Sequence, residues 1–114
     1  MLRRERYEKD HRRLFQEYKL GSTVWSPLAG GLLSGKYNSG VFPEGSRYKK
    51  VEGKRESFLQ RYMDEKNQEI VLSKLKKLEE LAKSFGCSMA QLCLAWTIAN
   101  QDVTSCLLGF SRIE

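Results

Sequence analysis

Two adjacent helical patterns in the C-terminal half of the chain constrain its fold more than any other feature. Between about Glu65 and Phe85 the apolar residues are spaced four, three, four and three positions apart, which predicts an amphipathic α-helix. These residues are Val71, Leu75, Leu78, Ala82 and Phe85. Gly86 predicts the end of this helix, and Ser88 with Gln91 forms a capping-box pattern that predicts the start of another. The second helix, predicted over Met89 to Asn100, is apolar nearly all round, so we expect it to be packed on more than one side.

Two short segments, one before and one after the helical pair, predict β-strands. Ser22 to Leu28 is β-branched and aromatic, with Pro27 expected at its end because proline has no amide proton. Val103 to Leu108 is apolar on both faces, as in a parallel sheet covered by helices. A further helix is predicted from about Glu8 to Leu20 and is expected to stop at Gly21. The order helix, strand, long loop, helix, helix, strand predicts an α/β fold with parallel strands.

The long segment between the first strand and the helical pair is rich in glycine. Residues 29–56 predict a loop with little regular structure, and Ser57 to Asp64 predicts a short helix. The stretch from Gly30 to Lys36 fits the phosphate-loop pattern G-x-x-x-x-G-K. Tyr37, however, stands where a phosphate loop has the Ser or Thr that holds magnesium, and Asn38-Ser39-Gly40 breaks a helix. The sequence therefore predicts phosphate binding by loop amides and Lys36, without a magnesium–ATP site.

Charge and cysteine content narrow the functional classes. The 114 residues carry a net charge of +6, which suits an anionic ligand, but Lys and Arg alternate with acids as on a solvated helix face. We therefore expect no nucleic-acid binding, and no apolar run reaches the length of a membrane span. The three cysteines, Cys87, Cys93 and Cys106, have no metal-ligand spacing and predict buried free thiols in a reducing compartment.

Four quoted stretches resemble the aldo-keto reductases. "VWSPLAGGLLSGKY" is similar to the segment that begins at that family's seventh strand, and "FPEGSR" to the loop that closes over the cofactor. "KLKKLEELAKSFGCSMAQLCLAWTIAN" resembles the family's paired helices, and "VTSCLLGFSR" its eighth strand and the turn that follows. Within the family, "TVWSPLAGGLLSGKYNSG" is most similar to the branch of the voltage-gated potassium channel β subunits.

The resemblance implies a fold and a cofactor. Family members are (β/α)8 TIM barrels that transfer a hydride from NADPH to aldehydes or ketones. Because a barrel needs about 250 residues, residues 1–114 are expected to be the C-terminal fragment of such an oxidoreductase domain, covering about strands seven and eight with their helices in an incomplete barrel.

The resemblance also assigns roles to single residues. Those implied to bind NADP(H) are Trp25, Ser26, Pro27, Leu28, Ala29, Gly30, Lys36, Arg47, Gly109 and Ser111. The first four would lie along the nicotinamide and pyrophosphate. Lys36 would neutralise phosphate and Arg47 would meet the adenosine 2′-phosphate, while Gly109 and Ser111 would hold the adenosine phosphate after strand eight.

The family's catalytic Asp, Tyr, Lys and His have no counterpart in this chain, so we expect it to be inactive alone. The Gln and Asn that normally hold the adenine are also absent. Two hypotheses follow: the NADP(H)-binding portion of a reductase of the β-subunit branch, or an inactive truncated protein that associates with a channel or a full-length β subunit. By resemblance the partners are potassium channel α subunits and further copies in a tetramer. The location is then cytoplasmic, with membrane association only through a channel.

Overall fold

The structure, a computed structural model, describes residues 1–2, 4–51, 62–64 and 66–110. In chain order, its elements are a π-helical turn (Arg6–Asp10), α1 (Arg12–Gln16), β1 (Ser22–Trp25), a 3-10 segment (Ala29–Ser34), α2 (Arg47–Val51), α3 (Gln68–Ser84), α4 (Met89–Ile98) and β2 (Val103–Leu107). The predicted helices and strands occur in the predicted order, and α2 is an additional helix within the segment predicted to be a loop. Most of the helix predicted from Ser57 to Asp64 lies outside the described residues. The chain divides into two compact units, which we call the sheet unit (Met1–Pro27 with Cys93–Glu114) and the loop unit (Leu28–Leu92).

The two strands of the sheet unit are parallel, as predicted. Ser22 lies opposite Val103 and Trp25 opposite Leu107, with an irregularity between Ser22 and Thr23. β1 ends three residues earlier than predicted because Ser26 adopts a left-handed conformation (φ 52°) and turns the chain out of the sheet. Pro27 therefore follows the strand and does not lie in it.

Gly21 has a different role from the helix stop that the sequence predicted. α1 already ends at Gln16, and the left-handed residue after it is Lys19 (φ 55°). A Cβ atom on residue 21 would instead overlap the hydroxyl of Thr104, a residue of β2. Glycine fits here because the Thr104 side chain occupies the space that a Cβ atom would fill.

Ser22 connects three parts of the sheet unit. Its hydroxyl donates a hydrogen bond of 2.7 Å to the carbonyl of Asp102, just before β2, and its backbone N–H donates to the same carbonyl at 3.1 Å. The hydroxyl of Tyr7 is hydrogen-bonded to Ser22, and the Tyr7 ring lies 4.8 Å from the ring of the buried Phe15. The N-terminal helical segment is thus attached to the start of both strands.

The α3–α4 connection agrees closely with its sequence signals. Gly86 is left-handed (φ 66°), and the N–H of Cys87 donates to the carbonyl of Ala82 at 3.1 Å, which is the bond that defines a Schellman helix end. Ser88 N–H then donates to Gln91 Oε1 at 2.8 Å, and Gln91 N–H donates to Ser88 Oγ at 3.2 Å. Both halves of the predicted capping box are therefore present.

Burial follows the predicted patterns only in part. Leu75 and Ala82 are buried on α3, whereas Phe85, assigned to the same apolar face, is exposed because it lies past the last helical residue. α4 buries Met89 and Cys93 but leaves Ile98 exposed, and Leu107 and Leu108 are exposed although the strand was expected to be covered on both faces. All three cysteines are free, but only Cys93 is buried, while Cys87 and Cys106 are half-buried. Within the described part of the chain, no helix has the length and apolar composition that a membrane span requires.

Candidate functional site

The glycine-rich segment of the loop unit forms a sharp, well-packed turn. Ala29, Gly30 and Gly31 all have positive φ values (50°, 67° and 100°), and Gly31 N–H donates to the carbonyl of Leu28 at 2.9 Å. Two glycines are required because side chains rarely adopt this conformation. The residues that follow, Leu32 and Leu33, are among the most buried of the described residues. The prediction of a loop with little regular structure did not include this burial, by which the two leucines anchor the turn in the core.

The chain after this turn does not have the shape of a nucleotide-triphosphate loop. Gly35 is left-handed (φ 91°) and residues 36–39 form turns, where a phosphate loop would begin a helix. This is the helix-breaking behaviour that Asn38-Ser39-Gly40 predicts.

Lys36 folds back over the turn. Its Nζ atom would be 2.6 Å from a Cβ atom on Gly31 and lies 5.0 Å from the centre of the Tyr37 ring. The ammonium group is therefore held between a bare backbone and an aromatic face, an arrangement that attracts cations. Ser34 Oγ donates a hydrogen bond of 2.7 Å to the carbonyl of Gly31 and so stabilises the turn. One positive charge is thus positioned beside the glycine backbone.

A cluster of three aromatic rings connects this turn to α2. The rings of Phe42 and Tyr48 are stacked 3.7 Å apart, and Tyr37, which is fully buried, lies 5.5 Å and 6.3 Å from them. The backbone N–H of Tyr48 donates to the Tyr37 hydroxyl at 3.4 Å. Arg47 is exposed and begins α2, directly before Tyr48. The two predicted phosphate-binding cations, Lys36 and Arg47, therefore each adjoin a residue of one aromatic cluster.

Asn38 attaches the same segment to α3. Its Nδ2 atom donates to Glu79 Oε2 at 2.9 Å, and Lys83 Nζ lies 3.3 Å from Glu79 Oε1. The hydrogen bond from Asn38, assisted by Lys83, lowers the pKa of Glu79. A cleft of about 270 Å³ lies beside this contact and is lined in part by Ser34 and Gly35.

The remaining predicted site residues belong to the sheet unit. Because Trp25 lies opposite Leu107 in a parallel pair, Ser26 and Gly109 follow the carboxyl ends of neighbouring strands at one edge of the sheet. The Trp25 side chain is 78% exposed at this edge. Pro27 is half-buried, and Ser111 lies outside the described residues.

Sequence reasoning missed the side chains that hold the site in shape. It did not assign roles to Phe42, Tyr48, Ser34, Asn38 or Glu79, and it treated Tyr37 only as a residue that is not Ser or Thr. One signal was available: three aromatic residues recur within a short segment that otherwise consists mostly of small and polar residues. Large apolar rings in such a segment indicate a local core, because burying aromatic surface is strongly favourable.

Comparison with known proteins identifies relatives along the whole chain. The sequence model of the aldo/keto reductase family matches residues 1–114. A protein of Schizosaccharomyces pombe named "Putative voltage-gated potassium channel subunit beta" is 41% identical over 113 residues, which are 99% of this chain and 31% of that protein. Proteins named "Probable voltage-gated potassium channel subunit beta" are 35% identical in Arabidopsis thaliana, over 98% of this chain and 32% of theirs, and 36% identical in Oryza sativa subsp. japonica, over 96% and 31%. The chain spans about a third of the length of these relatives.

Proposed function

Because the chain belongs to the aldo/keto reductase family and resembles its potassium channel β-subunit branch, as its motifs predicted, we propose that it forms NADP(H)-binding walls of such a reductase. The observation that carries the proposal is the position of Lys36. Its ammonium group lies beside the Gly31 backbone and over the Tyr37 ring, so a positive charge is placed at the glycine turn. A glycine turn with a fixed cation is a site suited to a dinucleotide phosphate.

The finer fold assignment is part of the same proposal. β1 and β2 act as strands seven and eight of a (β/α)8 barrel, and residues 1–114 as the C-terminal part of the reductase domain. Their parallel pairing supports this, as do the two helices α3 and α4 that precede β2. In such barrels the site lies at the carboxyl ends of the strands, and phosphate is often held after strands seven and eight. Ser26 and Gly109 follow those ends.

The resemblance gives each of these residues a role toward the proposed cofactor. Trp25, Ser26, Pro27 and Leu28 would line the nicotinamide and pyrophosphate, and Ala29 and Gly30 would shape the turn beneath them. Lys36 would pair with a phosphate, Arg47 would bind the 2′-phosphate, and Gly109 and Ser111 would complete the adenosine side. When bound, NADPH supplies a hydride for the carbonyl carbon of an aldehyde or ketone. The role of these residues is to bind and orient the dinucleotide.

The chain supplies no proton donor for such a reaction in this proposal. By resemblance, the family's catalytic Asp, Tyr, Lys and His match no residues here, and Tyr37 is fully buried, so its hydroxyl is not presented at the surface. A missing general acid costs typically 10²–10⁴-fold in rate. We therefore propose that the 114-residue chain alone does not turn over an aldehyde such as 4-nitrobenzaldehyde.

The test is cofactor binding in the full natural protein that contains this sequence, followed by cofactor fluorescence. Replacing Lys36 with Met removes a charge-assisted contact worth about 1.5–3 kcal/mol, so NADPH should bind about 10–150-fold more weakly, and less so in high salt. Arg47→Ala should weaken NADPH much more than NADH, since only NADPH carries the 2′-phosphate. Lys77→Met, which removes an exposed lysine of α3, is the matched control. Unchanged NADPH affinity in Lys36→Met, or tight magnesium-dependent ATP binding that this variant loses, would refute the proposal.

A second candidate function is that of an inactive interaction protein. It is favoured by the exposed apolar residues of the sheet unit, among them Trp25, Leu107 and Phe110. In this case the chain acts in the cytoplasm by joining a potassium channel α subunit or a tetramer that contains full-length β subunits. Co-expression with a full-length β subunit distinguishes the two: stable co-purification of a chain that does not affect NADPH binding supports the second function.

A further inference from the structure

Tyr37 holds a position that the proposed function does not yet use. It is fully buried, and its two ends face the two segments that carry the proposed phosphate ligands. The ring faces the ammonium group of Lys36, with 5.0 Å between Nζ and the ring centre. The hydroxyl oxygen accepts the backbone N–H of Tyr48, the second residue of α2. A single side chain therefore contacts both the glycine turn and the helix that begins with Arg47.

The first turn of α2 shows why this contact matters. The first N–H groups of a helix have no partner within the helix. Ser46 Oγ accepts one of them, from Lys49 at 3.4 Å, but Ser46 is adjacent to α2 and moves with it. The Tyr37 hydroxyl accepts another, and it belongs to the turn that carries Lys36. Of these two bonds, only the second fixes where α2 lies relative to Lys36.

Packing in the ring cluster does not explain why position 37 is a tyrosine and not a phenylalanine. The stacked rings of Phe42 and Tyr48 would pack equally well against a phenylalanine at position 37. Tyrosine adds one acceptor at a buried point, and that acceptor meets a backbone N–H directly after Arg47. The polar atom is therefore placed where it affects the position of Arg47.

We propose that Tyr37 is a positioning residue for cofactor selectivity: it holds α2 against the glycine turn, so that Arg47 and Lys36 are presented together to a dinucleotide with a 2′-phosphate. This inference rests on the proposed function. Tyr37 acts through Arg47 and does not contact the cofactor. Its loss should therefore affect NADPH and leave NADH binding unchanged, because NADH has no 2′-phosphate for Arg47 to bind.

The experiment compares Tyr37→Phe with Tyr48→Phe in the full natural protein. Both changes remove one phenol oxygen from the same ring cluster, but of these two hydroxyls only that of Tyr37 makes a hydrogen bond to a described residue. At 3.4 Å the bond is longer than a usual N–H···O hydrogen bond and therefore weak, so Tyr37→Phe should weaken NADPH binding by only about two- to fivefold. NADH binding should stay within experimental error in both variants, and Tyr48→Phe should bind both cofactors as the unmodified protein does.

A double-mutant cycle with Arg47→Ala completes the test. If Tyr37 acts through Arg47, Tyr37→Phe has no further effect on NADPH affinity once Arg47 is removed. Equal weakening of NADPH and NADH, or a full effect in the Arg47→Ala background, would overturn the inference and leave Tyr37 a packing residue. An unmodified protein that binds NADPH, with Tyr37→Phe unchanged, would overturn the inference alone. An unmodified protein that binds neither cofactor would overturn the proposed function as well.

Discussion

Among the described residues, the loop unit contains most of the buried apolar side chains and the sheet unit most of the exposed large ones. The loop unit fully buries Leu32, Tyr37 and Leu75, although much of it is glycine-rich turn. The sheet unit has regular strands, yet Leu107 is 53% exposed and Phe110 82% exposed. The difference teaches that the loop is shaped by its own neighbours in sequence. The two strands instead present apolar surface of the kind that further strands and helices cover in a complete barrel.

The largest effect is expected from removing a core leucine of the loop unit. Leu75 is 1% exposed, so Leu75→Ala should lower the free energy of unfolding by about 2–5 kcal/mol. Leu107→Ala in the 114-residue chain should lower it by less than about 1 kcal/mol, because the side chain keeps much of its water contact. Urea denaturation of both variants measures this.

The same pair, placed in the full natural protein, sharpens the comparison. If other strands cover the sheet there, Leu107→Ala should lower the free energy of unfolding as much as Leu75→Ala does. A Leu107→Ala variant that stays mild in the full protein would contradict the barrel assignment. If both variants lose the same free energy of unfolding in the 114-residue chain, the proposed difference in burial between the two units is wrong.

The next largest loss of stability is expected from replacing either of two glycines with alanine. The two replacements differ in whether a second substitution can restore the stability. Gly31→Ala places a side chain at φ 100° and against Lys36, which we expect to cost about 1–2 kcal/mol for the left-handed backbone alone. Gly21→Ala meets only the Thr104 side chain and has no left-handed backbone. Adding Thr104→Ala should therefore restore most of the stability lost at Gly21. Adding Lys36→Ala should not restore the stability lost in Gly31→Ala. Full restoration would show that the left-handed backbone at position 31 does not destabilise alanine.

The smallest effect concerns the contact between Asn38 and α3. The hydrogen bond from Asn38, together with Lys83, lowers the pKa of Glu79 below its ordinary value. The contribution of this carboxylate is therefore fully present above the ordinary glutamate pKa of about 4.3 and is lost as the pH falls through the lowered pKa.

Thermal melting across this range provides the measurement. The stability difference between the unmodified chain and Glu79→Gln should shrink as the solution is acidified. Glu80→Gln, which changes the neighbouring exposed glutamate of α3, is the matched control. A constant difference for Glu79→Gln down to the acid limit would mean that the contact does not depend on the charge.

The sequence predicted α3, its end at Gly86 and the capping box of α4 because each depends on residues within a few positions of one another. It also identified the turn with Lys36 from the glycines. It did not predict α2 or the aromatic cluster, because Tyr37 and Tyr48 meet across eleven positions and the pattern between them has no helical period. The early end of β1 depends on Ser26, which has a left-handed backbone conformation. This conformation is rare for serine, so the sequence did not predict it.

The hydrogen bonds in the α3–α4 connection limit how this sequence can change in length during evolution. The N–H groups of Gly86, Cys87 and Ser88 are all committed to partners in one helix or the other, so one inserted residue would break both helix ends at once. Around Gly45, by contrast, a side chain would meet nothing within 4 Å, and its neighbours Pro43 and Glu44 are exposed. Insertions and deletions are best tolerated at exposed turns of this kind. Relatives of this chain should therefore keep a constant number of residues between the two helices and vary in length just before Arg47.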